Sequence, residues 1–401
     1  MSGVDGRSGG GVGTGDVMTV DQPARPAAGA GGGAWSLTWH GVRTVAALEL
    51  RQRVRSSRWK TALVVWVVAV GAITLLSSGA LTALSSGDGG PSRGPLLFAI
   101  VSALVLGLGL LVTPTLTSTA VNGDRGAGTL ATLQVTLLSA AEIALGKLLA
   151  AWAAALAFLV TSVPFLVIAL ALGDVPVAAL PRVLAVVAVV LAAVCGIGLG
   201  WSTVAARPAG STVLTFLTVA ALAVFTPVFF GIAFASTSVT ETVTVHGVSP
   251  AQWQELDEEE LAAGTPDDLE CTTYTEEREV VHTERIWWLL ALNPFVVLAD
   301  GAGTSPGEID GDDLRVDPLG QIGAGVRSLR TGPPEVADEC SGWFAGTAGL
   351  TSSDVPEPEP GAAVWPWGLG AHVLLGTLGL VVAVRRLQIP QRTLPRGTRV
   401  A

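Results

Sequence analysis

Asp124, Arg125, Ser139, Glu142 and Lys147 are the polar side chains whose types and spacing promise the most. They lie in one stretch, Val121–Lys147, among Gly123, Gly126 and Gly128. Ser139-Ala-Ala-Glu142 has capping-box spacing: the serine accepts from the backbone N–H three residues on, and the glutamate reaches back. The glycines permit turns that side chains would hinder. Leu130, Leu133 and Leu137 recur at positions that share one helix face. The chemistry open to such a stretch is charge-assisted hydrogen bonding and mechanical contact, not bond-making. A polar turn leads to a short apolar surface helix, and a fresh helix starts at Ser139 and runs through Lys147. Asp124 and Arg125 read either as a solvated turn or as a place where a partner pushes.

Catalytic arrangements are missing elsewhere. His40, His246, His282 and His372 are scattered, with no His-Glu-x-x-His and no Cys/His metal spacing. No Gly-x-x-x-x-Gly-Lys-Ser/Thr occurs, so the chain lacks a phosphate cradle for ATP. The acidic runs around Glu255–Glu260 and Asp310–Asp313 do not alternate ligands as a calcium loop does, and read as solvated surface. We therefore expect no catalytic residue, no metal and no cofactor bound by this chain.

The elements that must position these residues are membrane helices. Half of the residues are hydrophobic and only 14% are charged, against roughly 25% in soluble domains. Six runs can each cross a bilayer: Thr61–Leu81, Leu96–Thr117, Leu148–Leu172, Val183–Val204, Val213–Ala235 and Val364–Val384. The run Ile286–Ala299, broken at Asn293-Pro294, is too short to cross and reads as a re-entrant or interfacial helix. No Asp, Glu, Lys or Arg falls within the six runs. That argues against an ion-coupled transporter, which needs a buried carboxylate. Pro114, Pro164 and Pro227 lie inside spans, as membrane prolines often do, or serve as hinges. Gly196 and Gly200 form a small-xxx-small pair that suits close packing, inside the protomer or at a dimer seam.

Basic residues set the expected orientation. Arg43, Arg51, Arg53, Arg55, Arg58 and Lys60 precede the first span, and Arg385 and Arg386 follow the last. Arg125, Lys147 and Arg207 sit in connections on that same side, which the positive-inside rule makes cytoplasmic. Both termini then face the cytoplasm of a multi-pass plasma-membrane protein. Residues 1–34 read as a disordered Gly/Ala-rich tail with no signal peptide, and 35–60 as a basic interfacial helix at the lipid surface. Residues 61–235 hold spans one to five, 364–384 the sixth, and 385–401 a basic tail. Most of the 33 acidic residues fall in 236–363, an extracytoplasmic segment long enough for a small domain. Cys271 and Cys340 both lie there, and an oxidising compartment predicts that they pair. No basic domain suggests nucleic acid.

Asp124-Arg125-Gly-Ala-Gly128-Thr129-Leu130, then Leu137-Leu-Ser139, then Leu145-Gly146-Lys147-Leu148, resembles the first cytoplasmic loop of type-2 ABC exporter permeases. Those carry an acidic-basic-acidic triplet, a Gly-Thr-Leu, a Leu-x-Thr-Pro-Leu-Ser-like turn and a Gly-Lys before the third span. The six-span plan, the basic helix and Asn293–Asp300 extend the likeness; Gly126 and Leu137-Leu138 depart from it. The resemblance implies an all-α polytopic fold with an amphipathic coupling helix after the second span. It also implies a separate cytosolic ATPase holding ATP and Mg, and a second permease protomer, identical or a sister chain. Asp124, Arg125, Gly128, Thr129, Leu130, Leu133, Ser139, Glu142 and Lys147 would then form the ATPase-coupling loop, with Arg51, Arg53, Arg55 and Arg58 on the basic helix. The charge-free spans suggest export of an apolar or amphiphilic cargo such as a drug, lipid or secondary metabolite. The alternative is a non-transporting membrane scaffold or sensor whose outer segment binds a ligand.

Overall fold

The computed structural model describes residues 34–84, 93–128, 138–255, 271–305, 309–310, 313–314, 317–339 and 361–388. Six of its helices are long and apolar enough to cross a membrane: Ser57–Ala83, Arg93–Gly126, Ala140–Ala171, Ala179–Val204, Pro208–Ser236 and Trp365–Leu387. They are called spans one to six below. The protein is thus a mostly helical, multi-pass membrane protein, and each helix covers one of the six apolar runs to within a residue, Leu172 and Val364 falling just outside. The tail predicted over 1–34 falls almost wholly outside the described residues.

A separate basic helix, Trp39–Arg55, precedes the first span. It is shorter than the expected 35–60, because Ser56 adopts an extended conformation (φ −70°, ψ 128°) that ends it. Arg58 and Lys60 consequently belong to the first turn of span one rather than to the basic helix.

Spans two, three and four build the main apolar core, with Phe98, Val101, Phe158, Leu166, Val187 and Leu191 buried in it. Span one joins through Trp66, whose Nε1 donates to Ser162 Oγ of span three at 2.9 Å. Trp59 meets Phe158 edge to face and Trp66 meets it at a tilt, with ring centroids 4.9 and 5.0 Å away. Spans four and six run parallel in near-backbone contact. A Cβ on Gly196 would lie 2.3 Å from Gly376 O, and one on Gly379 2.3 Å from Gly196 O. The small-residue pair read from the sequence therefore packs within the protomer.

Span five contains a π-helical turn, Ala221–Phe225, just before Pro227. Proline lacks the N–H that would bond the carbonyl four residues back, and its ring clashes there. That carbonyl, Ala223 O, accepts instead from Asn293 Nδ2 at 2.9 Å. Asn293 also caps the short helix Pro294–Ala302, accepting from Phe295 N at 2.9 Å. One amide thus mends the proline break and starts the next helix. Pro294–Ala302 and Trp287–Ala291 form the broken helix expected over 286–299. Val297, Leu298 and Ala299 insert into the main core.

The acidic segment corrects the expectation of an all-α protein. Strand β1 (Ser238–Gly247) pairs antiparallel with β2 (Thr272–Val281), from Ser238↔Val281 to Gly247↔Thr272. Strand β3 (Val336–Asp338) adds parallel to β1, giving the order β2-β1-β3. The alternation Val239-Thr-Glu-Thr-Val243-Thr-Val245 is rich in β-branched residues and explains the strand. Arg278 neutralises part of the surrounding acid, 2.8 Å from Glu339 and 2.5 Å from Glu276.

Candidate functional site

The basic helix lies across the start of the third-span helix, and Glu142 is the knot between them. Its Oε1 accepts from Thr38 N at 2.8 Å and Thr38 Oγ1 at 2.5 Å. Its Oε2 accepts from Ser139 N at 2.8 Å, and Glu142 N donates to Ser139 Oγ at 3.1 Å. The capping box read from the sequence is therefore present in full. Thr38 is itself the N-cap of the basic helix, accepting from Gly41 N. One buried carboxylate thus serves two helix N-termini, where aligned peptide dipoles favour negative charge. Such closeness needs glycine on both sides. A Cβ on Gly41 would lie 2.6 Å from Glu142 Cδ, and one on Gly146 2.6 Å from Val45 Cβ.

A second knot follows one turn along. Lys147 Nζ donates to the carboxylates of Glu49, on the basic helix, and Asp124, in the short helix Asn122–Gly126 that ends span two. The Lys147 side chain is 1% exposed, so its charge depends on these partners. Arg53 lies 3.9 Å from Glu49 and donates to Leu116 O at 3.3 Å. Burial lowers its pKa from the ordinary arginine value, and the Glu49 carboxylate acts against that shift. Arg53 is accordingly an inward tie, not part of an exposed basic face. Arg51 and Arg55 are exposed, on the same face of the helix as His40 and Arg43.

A third, uncharged knot holds the turn after span two. Ser202 Oγ of span four accepts from Val121 N (2.9 Å) and Asn122 N (3.3 Å). Asn122 Nδ2 donates to Ser211 Oγ of span five at 2.7 Å, and Ser211 Oγ donates to Ser118 O at 2.5 Å. Beneath the knots lies a small core of Val121, Ala141, Ile143, Ala144, Leu199 and Val384. The turn 118–126 is therefore fastened to the basic helix and to spans three, four and five. What this arrangement can do is mechanical: a displacement of the turn is shared by all four.

Of the residues singled out from sequence, Asp124, Ser139, Glu142 and Lys147 come together here. Arg125 is exposed, and Gly128 takes a left-handed conformation (φ 73°) at the edge of the described chain. Thr129, Leu130 and Leu133, with most of the proposed coupling helix, lie outside the described residues. Glu49, Thr38, Asn122, Ser202 and Ser211 were not foreseen. Glu49 had a signal, as the lone acid in the basic stretch Trp39–Lys60.

The opposite end has its own knot. Asp300 Oδ2 accepts from Val364 N at 2.7 Å and Trp365 N at 2.6 Å, while Oδ1 accepts from Arg327 Nε at 2.5 Å. The start of span six is thus capped by a carboxylate from another helix. Arg330 covers the Trp287 ring at 4.9 Å and donates to Ala363 O at 2.7 Å. Cys271 is disulfide-bonded and Cys195 is free; Cys340, the expected partner of Cys271, lies outside the described residues. Gly303-Thr-Ser-Pro-Gly307 matches Gly-x-Ser-x-Gly in letters. A helix, Pro294–Ala302, precedes it, whereas a nucleophile elbow follows a strand. Among the described residues, no group of three or more His, Cys, Asp or Glu could hold a metal.

No protein-family model matches the chain, and no curated protein shows significant similarity to it.

Proposed function

We propose that this protein is the membrane-spanning permease subunit of an ABC-type exporter, driven by a separate cytosolic ATPase. It would move an apolar or amphiphilic cargo, such as a drug, lipid or secondary metabolite, across the cell membrane. The observation that carries the reading is the fastening of the Asp124 turn to the basic helix by Lys147 and Glu49. A loop tied this firmly to the spans can pass on a push, and a chain without a phosphate cradle needs one from outside. The basic end faces the cytoplasm in this reading, which places Arg125 and the basic helix toward the ATPase. A second protomer, identical or a sister chain, completes the path. Exposed apolar faces on spans one and five, such as Val64, Val68 and Leu75, and Val213, Val228 and Ile232, are available to it or to lipid.

Purification of the tagged chain from its native membrane tests the reading. A Walker-A ATPase should co-purify, and cargo should stimulate ATP hydrolysis in the reconstituted complex. Arg125→Glu should cut that stimulation while the chain still folds. An ATPase-free preparation that retains its cellular phenotype would favour the scaffold or sensor reading instead.

A further inference from the structure

Spans four, five and six leave an apolar groove of about 210 Å³ on the face of the bundle, lined chiefly by Ile197, Trp201, Thr218, Leu375, Leu378 and Val382. It forms because spans four and six approach at glycine. A Cβ on Gly200 would lie 2.7 Å from Gly379 Cα, so the floor is backbone and the larger side chains become rims. Trp201 is fixed as one wall by its Nε1 donating to Thr218 Oγ1 at 3.0 Å. Leu378 and Val382 are 51% and 36% exposed, so the groove opens sideways, toward where acyl chains would lie.

The groove also has a charged end. Leu378, Val382 and Arg386 are spaced four apart on one helix and stack on one face, with Arg385 beside Arg386. Span four leaves the groove at Val204, and Arg207 follows three residues on, as the cap of span five. All three arginines are exposed. No acidic residue occurs in 196–220 or 371–388 to oppose them.

We propose that this groove is a binding site for one anionic glycerophospholipid from the leaflet at the arginine-bearing end. An acyl chain lies along Ile197, Leu375 and Leu378, and the phosphate meets Arg207, Arg385 and Arg386. An apolar chain joined to an anionic head is the chemistry that satisfies both ends. The proposal does not depend on the transport reading.

Native mass spectrometry of the full chain, supplied with equal phosphatidylglycerol and phosphatidylcholine, tests it. The wild type should retain phosphatidylglycerol preferentially. Arg207→Gln, Arg385→Gln and Arg386→Gln should each erode that preference by about fivefold, the scale of one basic residue near an anionic surface. Val382→Trp, which fills the groove, should lose both lipids at this site. Circular dichroism checks that each variant keeps its helices. Quenching of Trp201 by brominated-chain phosphatidylglycerol, read as the difference from Trp201→Phe, reports occupancy in a bilayer. Equal lipid preference in the wild type and the triple arginine variant would overturn the proposal. So would a dimer that forms at the groove and excludes lipid, or unquenched Trp201.

Discussion

Glu142 and Asp300 stand at opposite ends of the helix bundle, and both are buried carboxylates that cap helices. Their partners differ. Among the described residues, Glu142 accepts only from neutral donors, the N–H groups of Thr38 and Ser139 and the Thr38 hydroxyl. Its negative charge is stabilised there by two helix starts and by no cation in hydrogen-bond contact. Asp300 has a cation, Arg327, as well as the two N–H groups that open span six. The basic end thus holds its ion pair one turn away at Lys147 and keeps the cap free of it. The acidic end merges cap and ion pair in one residue. Separate knots can yield one at a time, which suits an end where a loop is proposed to move. A merged knot fixes span six, Pro294–Ala302 and the helix Pro318–Thr331 together.

The largest expected effect comes from breaking the merged knot. Asp300→Ala leaves Arg327 without its carboxylate and two N–H groups without acceptors. Removing one partner of a buried pair costs about 3–5 kcal/mol. Thermal unfolding in detergent should show this as the greatest loss of stability among the variants named here. Lys147→Met should follow, since it leaves Glu49 and Asp124 facing one another, but both are partly solvated, at 17% and 31% exposure. Its loss should be smaller than that of Asp300→Ala by the same assay, and double replacement with Glu49→Gln should recover part of it.

Glu142→Gln keeps an acceptor but weakens both caps. A cap is worth about 1 kcal/mol, so an effect near twice that is expected. A double-mutant cycle with Thr38→Ala separates the two caps: a coupling near zero would mean that Glu142 serves only its own helix. The smallest effect on stability belongs to Arg125→Ala. Its side chain is exposed, so unfolding should not move, whereas ATPase stimulation in the proposed complex should fall. A stability loss equal to that of Lys147→Met would show that Arg125 belongs to the knots after all.

The capping box shows what was legible and why. Ser139 and Glu142 lie three residues apart, so their pairing is local and can be read from letters. The same carboxylate also reaches Thr38, more than a hundred residues away, and no local rule finds that partner. Asp300 had no local signature, since every acceptor contact it makes is to a distant segment. The strands were legible in the alternation at 239–245 but were masked by the acidic composition, which reads as solvated surface. His372, one of four histidines scattered along the sequence, has no metal or catalytic spacing to single it out. It is buried in span six, with Nδ1 donating to Gly368 O at 2.8 Å.

The sequence by itself determined the six membrane-length helices, the small-residue pair at Gly196 and Gly200, and the helix start at Ser139. Each is written in a window shorter than one helix, where composition or spacing carries the whole signal. Only the tertiary structure decided which helix meets Gly196, which carboxylates hold Lys147, and which amide mends the break at Pro227. Those choices depend on distances between segments far apart in the chain. The partners of Lys147 and of Asn293 follow from the need to pair buried polar groups where lipid offers no hydrogen bond, and the partner of Gly196 from close backbone packing.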